Sequence, residues 1–168
     1  MVRLQALFIF PVLLVPSNEL RTGDKIPPFM ITSVTGEMIH SDSLKGKILV
    51  IDFWASWCQP SRKNFPETAG IYEKYRKKFL KKEGKTVFIN ISIDTRYDLW
   101  YVATRQDNLY WPFQVCDFNG WESSMISLFK LRKVPANFVI NDSGYIVATD
   151  TWGKDLDSLL SALTRPVP

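Results

Sequence analysis

A run of apolar and aromatic residues that leads into a single cysteine constrains this chain more than any other feature. The run covers Ile48–Trp54, and Cys58 follows it, with Pro60 and Ser61 just beyond. An uninterrupted apolar stretch of this length is typical of a strand that is buried on both faces of a sheet. Because a Cys-x-Pro-x turn comes next, we expect a helix to begin at about Gln59, with Cys58 at the helix start.

The composition indicates one domain with a substantial core, since 46% of the 168 residues are hydrophobic. Two cysteines, Cys58 and Cys116, are too few for a multi-bridge disulfide framework or a cysteine-rich metal site. The single histidine, His40, excludes a multi-histidine metal centre, and we expect it at the surface. We expect no cofactor.

The net charge of +4 is modest, and several of the basic residues form one cluster in the sequence. A solvated helical face explains this cluster better than a nucleic-acid patch, because no aromatic–basic loop motif accompanies it. We therefore expect no nucleic-acid partner. The cluster consists of Lys74, Arg76, Lys77, Lys78, Lys81, Lys82 and Lys85.

The first residues predict an export signal. Arg3 precedes the apolar segment 4–15, which is too short for a comfortable membrane span but has the length of a signal-peptide core. We expect residues 1–17 to be a signal peptide and residues 18–168 to form a single domain. A packed N-terminal segment and an uncleaved anchor, which would contact the membrane, are the alternatives. Export would place Cys58 in an oxidising compartment, the periplasm or another part of the bacterial cell envelope.

Strand and helix patterns alternate along the chain and end in a hairpin and a helix, which predicts an α/β fold with a mixed sheet covered on both faces. We expect the long helix to kink at Pro66, which lacks an amide hydrogen. In the next predicted helix, we expect the apolar positions to be supplied by Leu99, Trp100, Val102 and Ala103. The predicted elements are a hairpin over Phe29–Ile39, strands at Ile48–Trp54, Thr86–Ile93 and Phe113–Cys116, helices at Gln59–Lys82, Arg96–Asp107, Glu122–Lys130 and Asp155–Leu163, and a second hairpin with strands Asn137–Ile140 and Tyr145–Ala148.

Ordered motifs from residue 23 to about residue 163 match one known family. They are Gly23–Phe29, Leu44–Lys47, Asp52–Cys58, Pro66, Val134–Pro135 and Asn141–Val147. On these motifs the chain resembles the thioredoxin superfamily, and more narrowly the TlpA/ResA-like thiol–disulfide oxidoreductases. The resemblance implies a thioredoxin-like fold with an inserted helix–strand segment between Asp94 and Asp117. Resemblance to the peroxiredoxins is weaker, because Trp57-Cys58-Gln59-Pro60 replaces their Thr-x-x-Cys loop.

Two positions depart from the family pattern. Ser61 stands where the family has its resolving cysteine, and Asn64 stands where an acidic residue is usual. A lone Cys→Ser change is what an engineered trap for mixed disulfides would carry. The loss of both residues is more typical of natural divergence.

The chemistry expected at this site begins with Cys58. Unpaired amide hydrogens and the helix dipole at a helix start favour an anion, and the thiolate is the nucleophilic form of cysteine. We expect the Ser61 hydroxyl to donate a hydrogen bond to that thiolate, although it cannot attack a mixed disulfide. The alternative is a Cys58 that only packs at the helix start.

The resemblance also implies roles for other residues. Asp52 matches a buried acid that serves the resolving cysteine, so it either retains an acid–base role or is a structural carboxyl. Pro135 is implied to be cis and to face Cys58, while the backbone of Val134 pairs with substrate. Trp54 is expected in the core. The implied substrate-contact residues are Trp57, Gln59, Pro60, Val134 and Pro135.

The sequence thus favours an oxidoreductase that forms transient mixed disulfides through Cys58. Its partners would be disulfide-containing or thiol proteins, together with an external reducing thiol or a partner oxidoreductase. The alternative is a redox-inactive thioredoxin-like module that binds an extended peptide along Pro135. We expect no bond between Cys58 and Cys116 in the folded resting protein, since strand spacing separates them.

Overall fold

The computed structural model describes residues 19–80 and 86–164. Its secondary structure comprises seven strands, four α-helices and two short 3-10 turns, at Ser41–Leu44 and Gly120–Glu122, within those ranges. In chain order the elements are β1 (Met30–Thr32), β2 (Met38–His40), β3 (Ile48–Trp54), α1 (Gln59–Leu80), β4 (Thr86–Ser92), α2 (Tyr97–Gln106), β5 (Phe113–Cys116), α3 (Ser124–Phe129), β6 (Ala136–Ile140), β7 (Ile146–Thr149) and α4 (Gly153–Leu163).

A five-stranded mixed sheet forms the centre, in the order β5-β4-β3-β6-β7. β3 runs parallel to β4 and antiparallel to β6, so it is the central strand and is paired on both sides. All seven residues of β3 are buried, which is why the sequence shows an unbroken apolar run there. β1 and β2 form a separate antiparallel hairpin. These observations confirm the predicted α/β fold, including the N-terminal hairpin.

The two faces of the sheet carry separate apolar cores. One core joins β3 to the hairpin and to α3, and includes Phe53, Phe129 and Phe138, whose rings are in contact. The other joins β3 to α1, α2 and α4, and includes Trp54, which contacts Phe65 edge-on with ring centroids 5.0 Å apart. Trp54 is therefore a core residue, as expected. Alternation along β3 sends successive side chains into opposite cores.

Several predicted boundaries are wrong by a few residues. The helix predicted over Glu122–Lys130 is a 3-10 turn followed by α3, because Ser123 has an extended backbone with φ −55° and ψ 135° between them. α2 buries Trp100 and Ala103, but Leu99 and Val102, which were expected to be apolar packing positions, are about half exposed. α4 begins at Gly153, whose φ of +58° is easily adopted only by glycine.

Other expectations concern single residues of the described chain. α1 passes through Pro66, and its kink there stays a prediction. His40 is exposed at the end of β2, as expected. In the basic cluster, Lys74 forms an ion pair with Asp157, with Lys74 Nζ 2.6 Å from Asp157 Oδ1. Both side chains are partly exposed, which agrees with a solvated helical face at Lys74. The predicted signal peptide, residues 1–17, lies outside the described residues.

Candidate functional site

The turn between β3 and α1 places Cys58 at the start of the helix. The Cys58 amide donates to the Ala55 carbonyl at 3.0 Å, and the Cys58 carbonyl accepts from the Arg62 amide at 3.1 Å. That second contact is the first hydrogen bond of α1, so Cys58 occupies the N-cap position. Pro60 then falls in the first turn, where its missing N–H costs nothing because amides there have no intrahelical partner.

Cys58 is largely covered by its surroundings. The residue is 5% exposed and packs in the apolar core that also contains Ala55 and Phe53. Trp57 beside it is 56% exposed, and Gln59 and Pro60 are exposed as well. The turn therefore presents an aromatic and polar rim around a narrowly accessible cysteine.

The structure corrects the expected hydrogen bond between Ser61 and Cys58. Ser61 lies on α1 one turn after the cysteine and is 3% exposed. Its hydroxyl has no hydrogen-bond partner among the described residues. The Cys58 sulfur therefore does not receive the serine hydroxyl, and the cysteine packs in the apolar core. The hydroxyl consequently stays buried and unpaired.

Asp52 lies in the middle of β3, on the face that α1 and α4 cover. Its register neighbours are Asn90 of β4 and Asn137 of β6, both uncharged and buried. Burial raises the pKa of Asp52 from 3.8 to about 7, while a hydrogen bond from Trp152 acts in the opposite direction. The Trp152 indole N–H donates to Asp52 Oδ1 at 3.2 Å. A carboxyl of this kind gains and loses its proton near neutral pH.

The peptide bond between Val134 and Pro135 is cis, as the resemblance implied. Pro135 directly precedes β6, whose first residue, Ala136, pairs with Phe53 of β3. Since β6 is antiparallel to β3, this register places Pro135 beside the carboxyl end of β3, where the turn to Cys58 begins. Val134 is partly buried and packs against the same apolar core as Cys58.

Asp94 fixes the Cys58 turn to the end of β4, and sequence reasoning missed it. Its carboxylate accepts from the Ser56 amide at 2.9 Å and from the Ser56 hydroxyl at 2.6 Å. It also accepts from the Ser92 hydroxyl at 2.6 Å. A signal was present in the sequence, because an acid directly after a strand parallel to β3 lies at the same sheet edge as the Cys58 turn.

Arg62 ties the same region to α2 and was also missed. Its guanidinium binds both carboxylate oxygens of Asp107, at 2.7 and 2.9 Å, and donates to the Ser56 carbonyl at 3.4 Å. A bidentate arginine–carboxylate pair constrains geometry more than a single contact does. Arg62 and Asp107 are 45 positions apart in sequence, so no local pattern points to this pair.

Cys116 lies apart from this arrangement. It ends β5, which is separated from β3 by β4, and it is 8% exposed. Burial raises the pKa of the Cys116 thiol to about 11, so the thiolate is scarce at neutral pH. Both cysteines are free thiols in the structure.

The described residues contain neither a cluster suited to a metal ion nor a helix suited to span a membrane. No group of three or more histidine, cysteine or acidic side chains is placed to hold a metal ion there. Within the same part of the chain, no helix has both the length and the apolar character needed to cross a bilayer.

Comparisons with known proteins agree with the fold. A model of the thioredoxin-like family matches residues 46–146. The thiol-disulfide oxidoreductase ResA of Bacillus thuringiensis (strain Al Hakam) is 35% identical over 151 residues, covering 90% of this chain and 82% of that protein. ResA of Bacillus subtilis (strain 168) is 23% identical over 143 residues, covering 85% of this chain and 74% of the relative.

Solved structures show the same architecture. A thiol-disulfide oxidoreductase from Bacteroides fragilis NCTC 9343 superposes with a TM-score of 0.72 at 29% identity, covering 83% of this chain and 99% of that one. The thioredoxin domain of a thiol-disulfide oxidoreductase from Bacteroides vulgatus superposes with a TM-score of 0.75 at 24% identity, covering 88% and 100%. The family match, the relatives and the fold agree: the chain belongs to the thioredoxin-like family and is similar to thiol–disulfide oxidoreductases of the ResA type.

Proposed function

We propose that the protein is a thiol–disulfide oxidoreductase that acts through one nucleophilic cysteine, Cys58, and whose mixed disulfides are resolved by an external thiol. One observation carries the proposal: Cys58 caps α1 beside the Val134–Pro135 turn, and a serine, Ser61, lies one helical turn later. The relatives that carry the name thiol-disulfide oxidoreductase support the general activity. The single-cysteine form is inferred from this chain's own residues.

The reaction consists of two exchanges. In the first, the Cys58 thiolate attacks one sulfur of a substrate disulfide, a bond forms between the two sulfurs, and the other substrate sulfur leaves as a thiolate. In the second, an external thiolate attacks the substrate sulfur of the mixed disulfide and Cys58 leaves as a thiolate. Cys58 returns to its starting state, so the protein gains and loses no net electrons.

The external thiol is needed because Ser61 cannot resolve the intermediate. A second thiol in the same site would act with the high effective concentration of an intramolecular group. A serine hydroxyl is scarcely ionised and forms no stable bond to sulfur. Cys116 does not replace it, because that thiol is buried on β5 and its pKa is raised to about 11.

Asp52 is proposed as the acid–base group of the exchange. Since the pKa of Asp52 is raised to about 7, the carboxyl can supply a proton to a leaving thiolate or accept one near neutral pH. Asp52 belongs to the strand that leads into the Cys58 turn, which supports this role. A purely structural carboxyl is the alternative, and an Asp52→Asn variant with an unchanged pH profile of exchange would favour it.

Two segments on either side of Cys58 are proposed to bind substrate. The exposed rim of the Cys58 turn supplies Trp57, Gln59 and Pro60. The backbone at Val134, next to Pro135, offers an edge for an extended peptide. Disulfide-containing proteins are therefore the proposed substrates, and a reducing thiol or a partner oxidoreductase is the proposed resolver. Export to the bacterial cell envelope stays part of the proposal, supported by the apolar segment 4–15.

Oxidised glutathione provides the direct test. Intact-mass analysis should show one glutathione adduct, peptide mapping should place it on Cys58, and added thiol should reverse it rapidly. Cys58→Ser should abolish the adduct, whereas the matched variant Cys116→Ser should leave its rate unchanged.

The same experiment separates the oxidoreductase from a peptide-binding module. A module that recognises extended peptides along Pro135 without turnover would form no adduct at Cys58, or one that thiol does not reverse. An adduct that maps to Cys116 alone would contradict the proposed mechanism.

A further inference from the structure

The loop between β7 and α4 contacts the side chain of Asp52. Residues Asp150, Thr151 and Trp152 form this loop, and the Trp152 indole donates to Asp52 Oδ1 at 3.2 Å. The aspartate and the tryptophan are 100 positions apart in sequence. Among the described hydrogen bonds, this is the one that the Asp52 side chain receives from another side chain.

Asn137 holds the loop in place from β6. Its side-chain amide donates to the Thr151 carbonyl, and its side-chain oxygen accepts from the Thr151 amide at 2.7 Å. The backbone adds a third contact, from the Asp150 amide to the Asn137 carbonyl at 3.0 Å. Asn137 is fully buried and pairs in register with Asp52, so the same residue positions both the loop and the neighbouring strand.

The loop also carries a charge that acts on Asp52. Asp150 has a φ of +51° and forms an ion pair with Lys133, with Lys133 Nζ 2.6 Å from Asp150 Oδ2. Lys133 precedes Val134, so this ion pair connects the loop to the proposed substrate turn. The negative charge of Asp150 raises the pKa of Asp52, opposite to the effect of the Trp152 donor.

We propose that the Asp150–Trp152 loop sets the protonation of Asp52, with Trp152 stabilising the carboxylate, Asp150 opposing it, and Asn137 holding both in position. Trp152 and Asp150 are then positioning residues, which act through Asp52. The consequence for thiol–disulfide exchange rests on the proposed function, but the effect on Asp52 itself does not.

The other elements packed around Asp52 contribute little charge. Asn90 and Asn137 on the adjacent strands are uncharged. The titratable side chain of α1 that faces the start of α4 is Glu67. Glu67 lies against the start of α4, where a Cβ on Gly153 would come within 2.6 Å of its Oε2. Lys154 and Asp155 in the first turn of α4 are exposed, opposite in sign and adjacent.

Two substitutions should move the Asp52 titration in opposite directions. Trp152→Phe keeps an aromatic ring but removes the donor, so the pKa of Asp52 should rise by about one unit. Asp150→Asn removes the opposing charge, and asparagine tolerates positive φ, so the pKa should fall by a smaller amount. Trp121→Phe, at a tryptophan with no hydrogen bond to Asp52 among the described residues, should change nothing.

The measurement is the pH dependence of the Asp52 carboxyl carbon signal in protein labelled with ¹³C-aspartate, assigned with Asp52→Asn. Opposite shifts in the two variants support the inference, as does a fall in Asp150→Asn alone if Trp152→Phe does not fold. A shift of the same sign in both variants, or no shift in Asp150→Asn, overturns it. The pH profile of glutathionylation at Cys58 is measured in parallel. If the carboxyl signals shift as expected while the rates do not follow, the acid–base role in the proposed function fails and the inference stands.

Discussion

The Ser61 hydroxyl is buried on α1 and has no hydrogen-bond partner in the described part of the chain. An unsatisfied buried polar group costs about 1–3 kcal/mol, so the position is not optimised for serine. Residues three apart on a helix lie close enough for a disulfide, which requires Cα atoms about 4.4–6.8 Å apart. A thiol at this position is therefore compatible with both the packing and the geometry.

Ser61→Cys should restore a two-cysteine cycle. We expect the oxidised variant to contain a disulfide between Cys58 and the introduced thiol, and to reduce insulin faster than the wild type, because the second thiol resolves the mixed disulfide internally. Ser61→Ala is the matched control, since it also removes the buried hydroxyl but supplies no thiol. An oxidised variant without the disulfide would show that the site geometry differs from that of two-cysteine relatives.

Asp52 should make the stability of the protein pH-dependent. Its pKa is about 7 in the folded state against 3.8 as the unperturbed value, so the folded state holds a proton that the unfolded state releases between these limits. The free energy of unfolding then falls as pH rises from about 4 to about 7, and levels off above that range.

Asp52→Asn removes this dependence, because the amide does not titrate and its oxygen can still accept from Trp152. The variant should match the wild type in stability at pH 4 and exceed it by up to about 4 kcal/mol at pH 8. Denaturant unfolding at both pH values provides the measurement. A stability difference that is independent of pH would contradict the raised pKa.

The elements show which parts of the fold follow from local patterns. The strands Ile48–Trp54 and Phe113–Cys116 have the predicted bounds, because a buried strand needs a continuous or alternating apolar run that is visible in sequence. The half-exposed positions of α2, Leu99 and Val102, were assigned wrongly because periodicity does not reveal which face of a helix meets the sheet. The break at Ser123 depends on an extended backbone between the 3-10 turn and α3, and the pattern of apolar side chains does not reveal that conformation.

The same distinction applies to the site. Cys58, Ser61 and the Val134–Pro135 turn were predictable because motifs mark them. Arg62 and Trp152 were not, since each acts through a contact with a residue at least 45 positions away. Such contacts arise only when strands and helices have assembled, and a single sequence contains no record of them.

The turn between β3 and α1 should depend strongly on Asp94. Asp94→Ala would leave three buried donors without an acceptor, two on Ser56 and one on Ser92. We expect a loss of about 3–5 kcal/mol in the free energy of unfolding at pH 7, the cost of breaking a buried charged hydrogen-bond network.

Asp98→Ala is the comparison, because that acid lies on α2 and 61% of its side chain is exposed, in an ion pair with Arg96. Exposed pairs contribute about 0–1 kcal/mol, so the stability of this variant should be close to that of the wild type. Equal losses in both variants, measured by denaturant unfolding, would show that Asp94 does not anchor the turn.

At the scale of the whole molecule, the strand order separates the two cysteines. Cys116 ends β5 at the edge of the sheet, and β4 lies between β5 and the central strand that leads to Cys58. Adjacent strands are about 4.8 Å apart, so an offset of two strands exceeds the Cα separation of about 7 Å that a disulfide permits. The Cys116 thiol is also buried, and its sulfur lies 3.6 Å from the carbonyl oxygen of Asp94.

We therefore expect no bond between Cys58 and Cys116 in the folded protein, because its formation would require local unfolding of the segment 117–120 that follows β5. Mild oxidation of monomeric protein, followed by peptide mapping without reduction, should recover the two cysteine peptides separately. The same oxidation in denaturant serves as the control, since the unfolded chain can bring both thiols together and should yield the linked pair. Recovery of linked peptides from folded monomer would show that Cys116, and not an external thiol, resolves the mixed disulfide. The mechanism would then be a two-cysteine cycle.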